Sequence, residues 1–220
     1  MRNPFRFALH PDTGDAWIGD VGQSSWEELN RVESSLASTK NFGWPCNEGP
    51  GKLSGYRYLD MCTALYDDTV NPATPPYFAY DHDELLGAQD TCTAISNGSS
   101  VSGVAFYQGG GYPSSYDGAI FVADNSRNCI WVMQAGSNGL PDPSTARTFV
   151  DDDAKPFPVD LDVDPVSGDL LYVNIAFGTV NRISYAAANR PPVAVASASP
   201  TSGTAPLNVQ LDASGSTDPD

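Results

Sequence analysis

The residues best suited to chemistry lie between Met1 and Pro45. Arg2 and Asn3 precede Pro4. A guanidinium offers planar, permanently charged donors to a carboxylate or quinone oxygen, and a carboxamide adds a donor and an acceptor. The same pair also suits a plain surface brace at the start of a strand. Asp20-Val21-Gly22-Gln23 spells a turn, and Glu27-Glu28 opens the next strand. Side chains alternate across a strand, so these two carboxylates are not a paired acid and base. One of them, with backbone carbonyls, makes a ligand set that calcium accepts. The competing reading puts one Glu in solvent and the other on a turn. His10 and His82 are the only histidines. Neither sits beside a nucleophile elbow, both are expected on the surface, and no residue is assigned as a general base. Asp162-Val163-Asp164 with Ser167-Gly168 lacks the Gly and Glu of an EF-hand where that loop requires them.

Those side chains need a scaffold, and the composition specifies its class. The 220 residues include 20 Gly and 18 Pro, with Ser, Thr, Asn and Asp punctuating short apolar runs. That pattern implies an all-β chain with many turns. The formal charge of -16 repels phosphate backbones and anionic lipid, so nucleic acid is excluded as a partner. No apolar run approaches the ~20 residues of a membrane-spanning helix. Cys46, Cys62, Cys92 and Cys129 form no CxxC pair, which favours two disulfides and an oxidising compartment. Met1 is followed directly by RNPFRF with no leader, and a disulfide-bearing chain of this kind is expected to begin upstream.

Three segments repeat. Pro11 to Asp20, Tyr116 to Asp124 and Pro165 to Asn174 each run from a Gly/Asp turn into a short apolar strand ending on Asp or Asn. Second strands follow at Trp26 to Val32, Cys129 to Met133 and Val180 to Tyr185. This is the rhythm of propeller blades, and about three are present where roughly 4 to 8 close a ring. The insert from Cys46 to Ser100 reads mostly as loop, with one strand at Tyr77 to Tyr80. Cys46 with Cys62 would close a short lobe and Cys92 with Cys129 would tie the insert to a blade, although spacing leaves the other pairings open. Asn97-Gly98-Ser99 is a glycosylation triplet. Residues 186–191 read as a linker, and 192–220 as the first strands of a second β-domain, at Val193 to Val195 and Leu207 to Leu211.

With RNPFRFALHPDTGDAWIGDVGQSSWEELN, NFGWPCNEG, SGVAFYQGGGYPSSYDGAIFVADNSRNCIWVM and PVDLDVDPVSGDLLYVNIAFGTVNRISY in view, the chain resembles the C-terminal half of the glucose/sorbosone dehydrogenase family. These are soluble six-bladed propellers that bind pyrroloquinoline quinone (PQQ) and calcium. The tail resembles the opening of a PKD domain, an immunoglobulin-like β-sandwich common on secreted proteins. The resemblance implies a secreted sugar dehydrogenase; a non-catalytic propeller that binds carbohydrate or an extracellular glycan is the alternative. It places Arg2, Asn3 and Arg127 toward the quinone. It places the backbone carbonyls of Gly22 and Gln23 on cofactor-bound calcium, and Glu28 with the Phe42 carbonyl on a second calcium. It locates the catalytic His in residues preceding Met1. Two departures stand out. Ser126 occupies the position of a family Lys, with Arg127 beside it, and Phe157-Pro158-Val159-Asp160 lacks two family Arg.

Overall fold

The computed structural model describes residues 1–35, 39–92, 98–185 and 192–217. Asn97 of the glycosylation triplet and the expected linker at 186–191 lie outside them. The chain divides into two compact units, Met1–Ser184 and Tyr185–Asp220.

The first unit is built from three antiparallel sheets. β1 (Pro4–Leu9), β2 (Ala16–Asp20), β3 (Trp26–Val32) and β6 (Phe78–Asp81) form one, in that order. A short hairpin of β4 (Asn47–Glu48) and β5 (Gly51–Lys52) lies in the insert. The second sheet holds β7 (Val101–Phe106), β8 (Ile120–Asp124), β9 (Cys129–Met133) and β10 (Arg147–Val150). The third holds β11 (Pro158–Val163), β12 (Leu170–Asn174) and β13 (Thr179–Ile183). The repeated segments are therefore equivalent strands of successive sheets, β2, β8 and β12.

Their turns are chemically equivalent too. His10 N donates to Asp15 O and Gly14 N to His10 O; Tyr107 with Ala119 and Gly118, and Asp164 with Asp169 and Gly168, repeat the pattern at 2.8–2.9 Å. The three glycines sit at φ +70, +74 and +73°, a region costly for residues with a Cβ.

The core lies between sheets. Along β8, Ile120 and Val122 face the first sheet and pack with Trp17, Leu29, Val104 and Met133. Phe121 and Ala123 face the third and pack with Ile130, Val132, Leu161 and Leu170. The strand is buried on both sides, so its sequence is a continuous apolar run rather than an alternation. β1, β7 and β11 are neighbouring inner strands, and Arg6 of β1 pairs with Asp160 of β11 at 3.1 Å.

The insert holds more structure than its composition announced. An eight-residue helix, α1 (Asp60–Asp67), buries only Cys62 and has no side-chain cap to mark its start. Cys62 joins Cys46, and Cys92 joins Cys129. The second unit pairs β14 (Ser197–Ser199) with β15 (Gln210–Asp212), and Val193 bridges Thr217. The strands expected at Val193 to Val195 and Leu207 to Leu211 are displaced along the chain. Every described residue from 192 to 217 is exposed, so no core fixes the register.

Candidate functional site

Arg2, Gly22, Glu28 and Phe42 converge on one small cavity of about 10 Å3, together with Asp20, Trp44, Asn47 and Glu48. The strand pairing produces this. Asp20 of β2 lies opposite Glu28 of β3, and β1 brings the chain start alongside. The Asp20 carboxylate then accepts from the backbone of Arg2 at 2.9 Å and of Asn3 at 2.6 Å, while Val21 N donates to Asn3 O.

The Arg2 guanidinium donates through one nitrogen to Gly22 O at 2.7 Å and Val21 O at 3.1 Å, and stands 5.7 Å from the Trp44 ring. Its other nitrogens and the Asn3 carboxamide have no hydrogen-bond partner among the described residues. Gln23 is exposed, and its backbone N–H donates to Glu48 at 2.6 Å. Glu48 gathers four successive backbone donors, from Gln23 to Trp26. Burial would raise its pKa, but these donors outweigh that and hold it below the usual range. The turn they define is tight: a Cβ on Gly22 would overlap the Trp26 carbonyl.

Glu28 accepts from Gly49 N at 2.7 Å and from Asn30 Nδ2 at 2.9 Å, while the amide oxygen of Asn30 is buried without a partner. Burial raises the pKa of Glu28, against those two donors, and the nearby Asp20 carboxylate adds to the rise. Asp20 is raised by burial as well, despite its backbone donors. Two carboxylates thus lie beside a space the size of one water or ion, with burial favouring their neutral forms. Among the described residues no three acidic, His or Cys side chains form a metal cage by themselves, so a cation here must draw on carbonyl oxygens.

Arg127 stands elsewhere. It is fully buried between Tyr80 and Trp131, with Nε on Ser99 at 2.7 Å and a terminal nitrogen on the Asp81 carbonyl. The resemblance directs Arg127 toward the quinone; in this chain it lies enclosed and does not line the cavity around Arg2. The ring faces of Tyr80, in the first sheet, and Trp131, in the second, together with these hydrogen bonds hold the cation inside.

The histidines correct the expectation that both lie on the surface. His10 is buried, stacked edge-on against Phe106, with Nε2 3.0 Å from Gly139 O. His82 pairs with Glu27 at 2.8 Å, and this hydrogen bond raises its pKa despite partial burial. Both Glu27 and Glu28 are buried, on opposite faces of β3. Glu27 bridges to the second sheet by accepting from Val101 N at 2.9 Å. Sequence reasoning missed Asp20 and Glu48 as partners of the site. The Asp or Asn that ends each repeated strand was a signal for the first; nothing local marks the second.

The chain is a partial β-propeller of three sheets. No family model matches it, and no curated protein does. Among solved structures it is similar to a crystal structure of glucose dehydrogenase, at 18% identity and TM-score 0.56, covering 84% of this chain and 45% of that one. A second glucose dehydrogenase gives 18% identity and TM-score 0.52, covering 78% and 40%. A PQQ-bound aldose sugar dehydrogenase from Streptomyces coelicolor gives 20% identity and TM-score 0.48, covering 79% and 37%. The chain spans less than half the length of each of these structures. At these identities the likeness is one of fold.

Proposed function

We propose that this chain is part of a secreted sugar dehydrogenase that uses PQQ and calcium. The observation that carries the reading is the gathering of Arg2, Gly22, Glu28 and Phe42 around one acidic cavity. PQQ, when bound, supplies a two-electron acceptor for the hydride leaving a sugar carbon. The residues of this chain position and hold. Asp20 fixes the backbone of Arg2 and Asn3, leaving their side chains to orient an anionic, carbonyl-bearing ligand through charge-assisted bonds. Glu28 and the Phe42 carbonyl suit a calcium ion in the cavity, where Asp20 adds a second carboxylate. The Gly22 and Gln23 carbonyls form the other calcium position, available once the Arg2 guanidinium turns from Gly22 O toward the cofactor. Arg127 would reach a cofactor only by leaving its aromatic sandwich, so quinone contact is assigned to Arg2 and Asn3.

Two disulfides support the extracellular location, and no helix among the described residues is long and apolar enough to cross a membrane. We assign the 192–217 unit to the opening of a PKD module. The test is aldose-dependent dye reduction by the full-length protein with calcium and PQQ. Turnover is expected; absence of both turnover and PQQ binding would overturn the reading. The enclosed Arg127, with no Arg in Phe157–Asp160, favours the second reading, a cofactor-free propeller that binds glycans. That reading predicts glycan-array signals without redox activity.

A further inference from the structure

A groove of about 300 Å3 opens beside the acidic cavity, with Phe42 and Asn47 lining both. One wall carries Lys52 and Tyr66, the ammonium lying 3.9 Å from the ring centroid; the other is the segment Pro72-Ala73-Thr74-Pro75-Pro76. Each wall is tied to the stretch between them. Thr74 N donates to Asn41 O at 2.7 Å, Tyr66 Oη donates to Cys46 O at 2.6 Å, and the Cys46–Cys62 disulfide anchors α1. The groove is therefore pre-formed, and its volume is at the lower end of the ~300–1,000 Å3 typical of small-molecule sites. Lys52 and Tyr66 also line a second hollow of about 500 Å3, which continues past them to Arg57, Tyr58 and Asp67.

We propose that these two hollows form one track that binds a neutral oligosaccharide. Its polar groups suit hydroxyls. The Asn47 amide has no hydrogen-bond partner among the described residues, the Lys52 ammonium contacts only a ring face, and Asp68 uses one carboxylate oxygen for Val70 N and Asn71 N while the other is free. Prolines and the exposed Tyr58 ring offer apolar surface to the C–H faces of sugar rings. Lys52, Arg57, Asp67 and Asp68 all line the hollows, so the lining carries no net charge that would select an ion. A polyphosphate would meet these carboxylates and a chain of charge -16. The choice of a saccharide over another neutral polyhydroxy ligand rests on the dehydrogenase reading.

The test is calorimetric titration of the full-length protein, without quinone, using glucose, maltotriose, cellotriose and xylotriose. At least one trisaccharide should bind roughly tenfold more tightly than glucose, since it spans both hollows. Lys52→Ala with Asp68→Ala should remove that advantage. Because Asp68 also shapes its own turn, Lys52→Ala and Tyr58→Ala are made singly, with near-ultraviolet circular dichroism as the check on folding. No trisaccharide binding, or binding unchanged in all folded variants, overturns the proposal. Dye reduction with glucose alongside absent trisaccharide binding would overturn the track and leave the dehydrogenase reading standing; trisaccharide binding that the variants abolish, alongside absent dye reduction, would support the track and count against the dehydrogenase reading.

Discussion

At the scale of single residues, the charges that matter are the buried ones. Asp124 is fully buried at the end of β8, accepting from Tyr80 Oη, Ser100 N and Arg127 N. Burial pushes its pKa up to about 6 from 3.8, despite those donors. A carboxyl raised on folding contributes stability that is present at low pH and lost as pH rises through the folded value. Against a non-titrating Asp124→Asn variant, the wild type should therefore hold its larger advantage near pH 4 and a smaller one at pH 7. Urea denaturation at the two pH values checks this, with an overall loss of about 1–3 kcal/mol expected from broken hydrogen bonds. Glu28 and Asp20 follow the same sign, and a bound cation would oppose it. His82 adds in the same direction, since its raised pKa gives stability that fades as pH rises above its ordinary 6.5.

Part of the geometry was legible: Arg2, Gly22, Glu28 and Phe42, singled out by residue type and resemblance, line one cavity. Two things were not legible. The Arg127 position depends on the Tyr80 and Trp131 faces, which are 51 residues apart in sequence and meet only in the folded chain (131 − 80). The role of Glu48 depends on four backbone N–H groups, which no side-chain pattern encodes.

At the scale of elements, the blade strands were readable because each repeats a Gly/Asp turn and an apolar run ending on Asp or Asn. The insert was not, since it is held by cross-links rather than by periodicity. Cys46–Cys62 closes a sequence separation of 16, and removing it as Cys46→Ser/Cys62→Ser should cost about 3 kcal/mol on the loop-closure account. Chemical denaturation of the variant and wild type measures it. Truncation of Trp17, fully buried against Tyr77 and Phe106 between the first two sheets, should cost more, about 3–5 kcal/mol as Trp17→Ala. The β2 turn is less tolerant still. Gly22→Ala drives a methyl into the Trp26 carbonyl, so the Arg2 and Glu48 contacts to that turn should be lost together.

At the scale of the whole chain, the two units differ in kind. Met1–Ser184 has a continuous core between its middle sheet and both neighbours, whereas the described residues of the second unit bury nothing. The outer faces of the first unit are apolar and open. Phe7 is 64% exposed on β1 and Val180 68% exposed on β13. Substituting either with Ser in this chain should change its stability by no more than about 0.5 kcal/mol, the range of surface sites, as thermal unfolding would show. The sequence announced a partial ring because only three turn-and-strand repeats were countable.

The central claim is that Glu28 and the carbonyls around it hold calcium beside Arg2. Titrating calcium into the metal-free full-length protein at neutral pH, and into its Glu28→Gln variant, tests it most directly. The account predicts saturable binding with a rise in melting temperature for the wild type, and loss of both in the variant. Equal binding by the two proteins, or none by either, would contradict it.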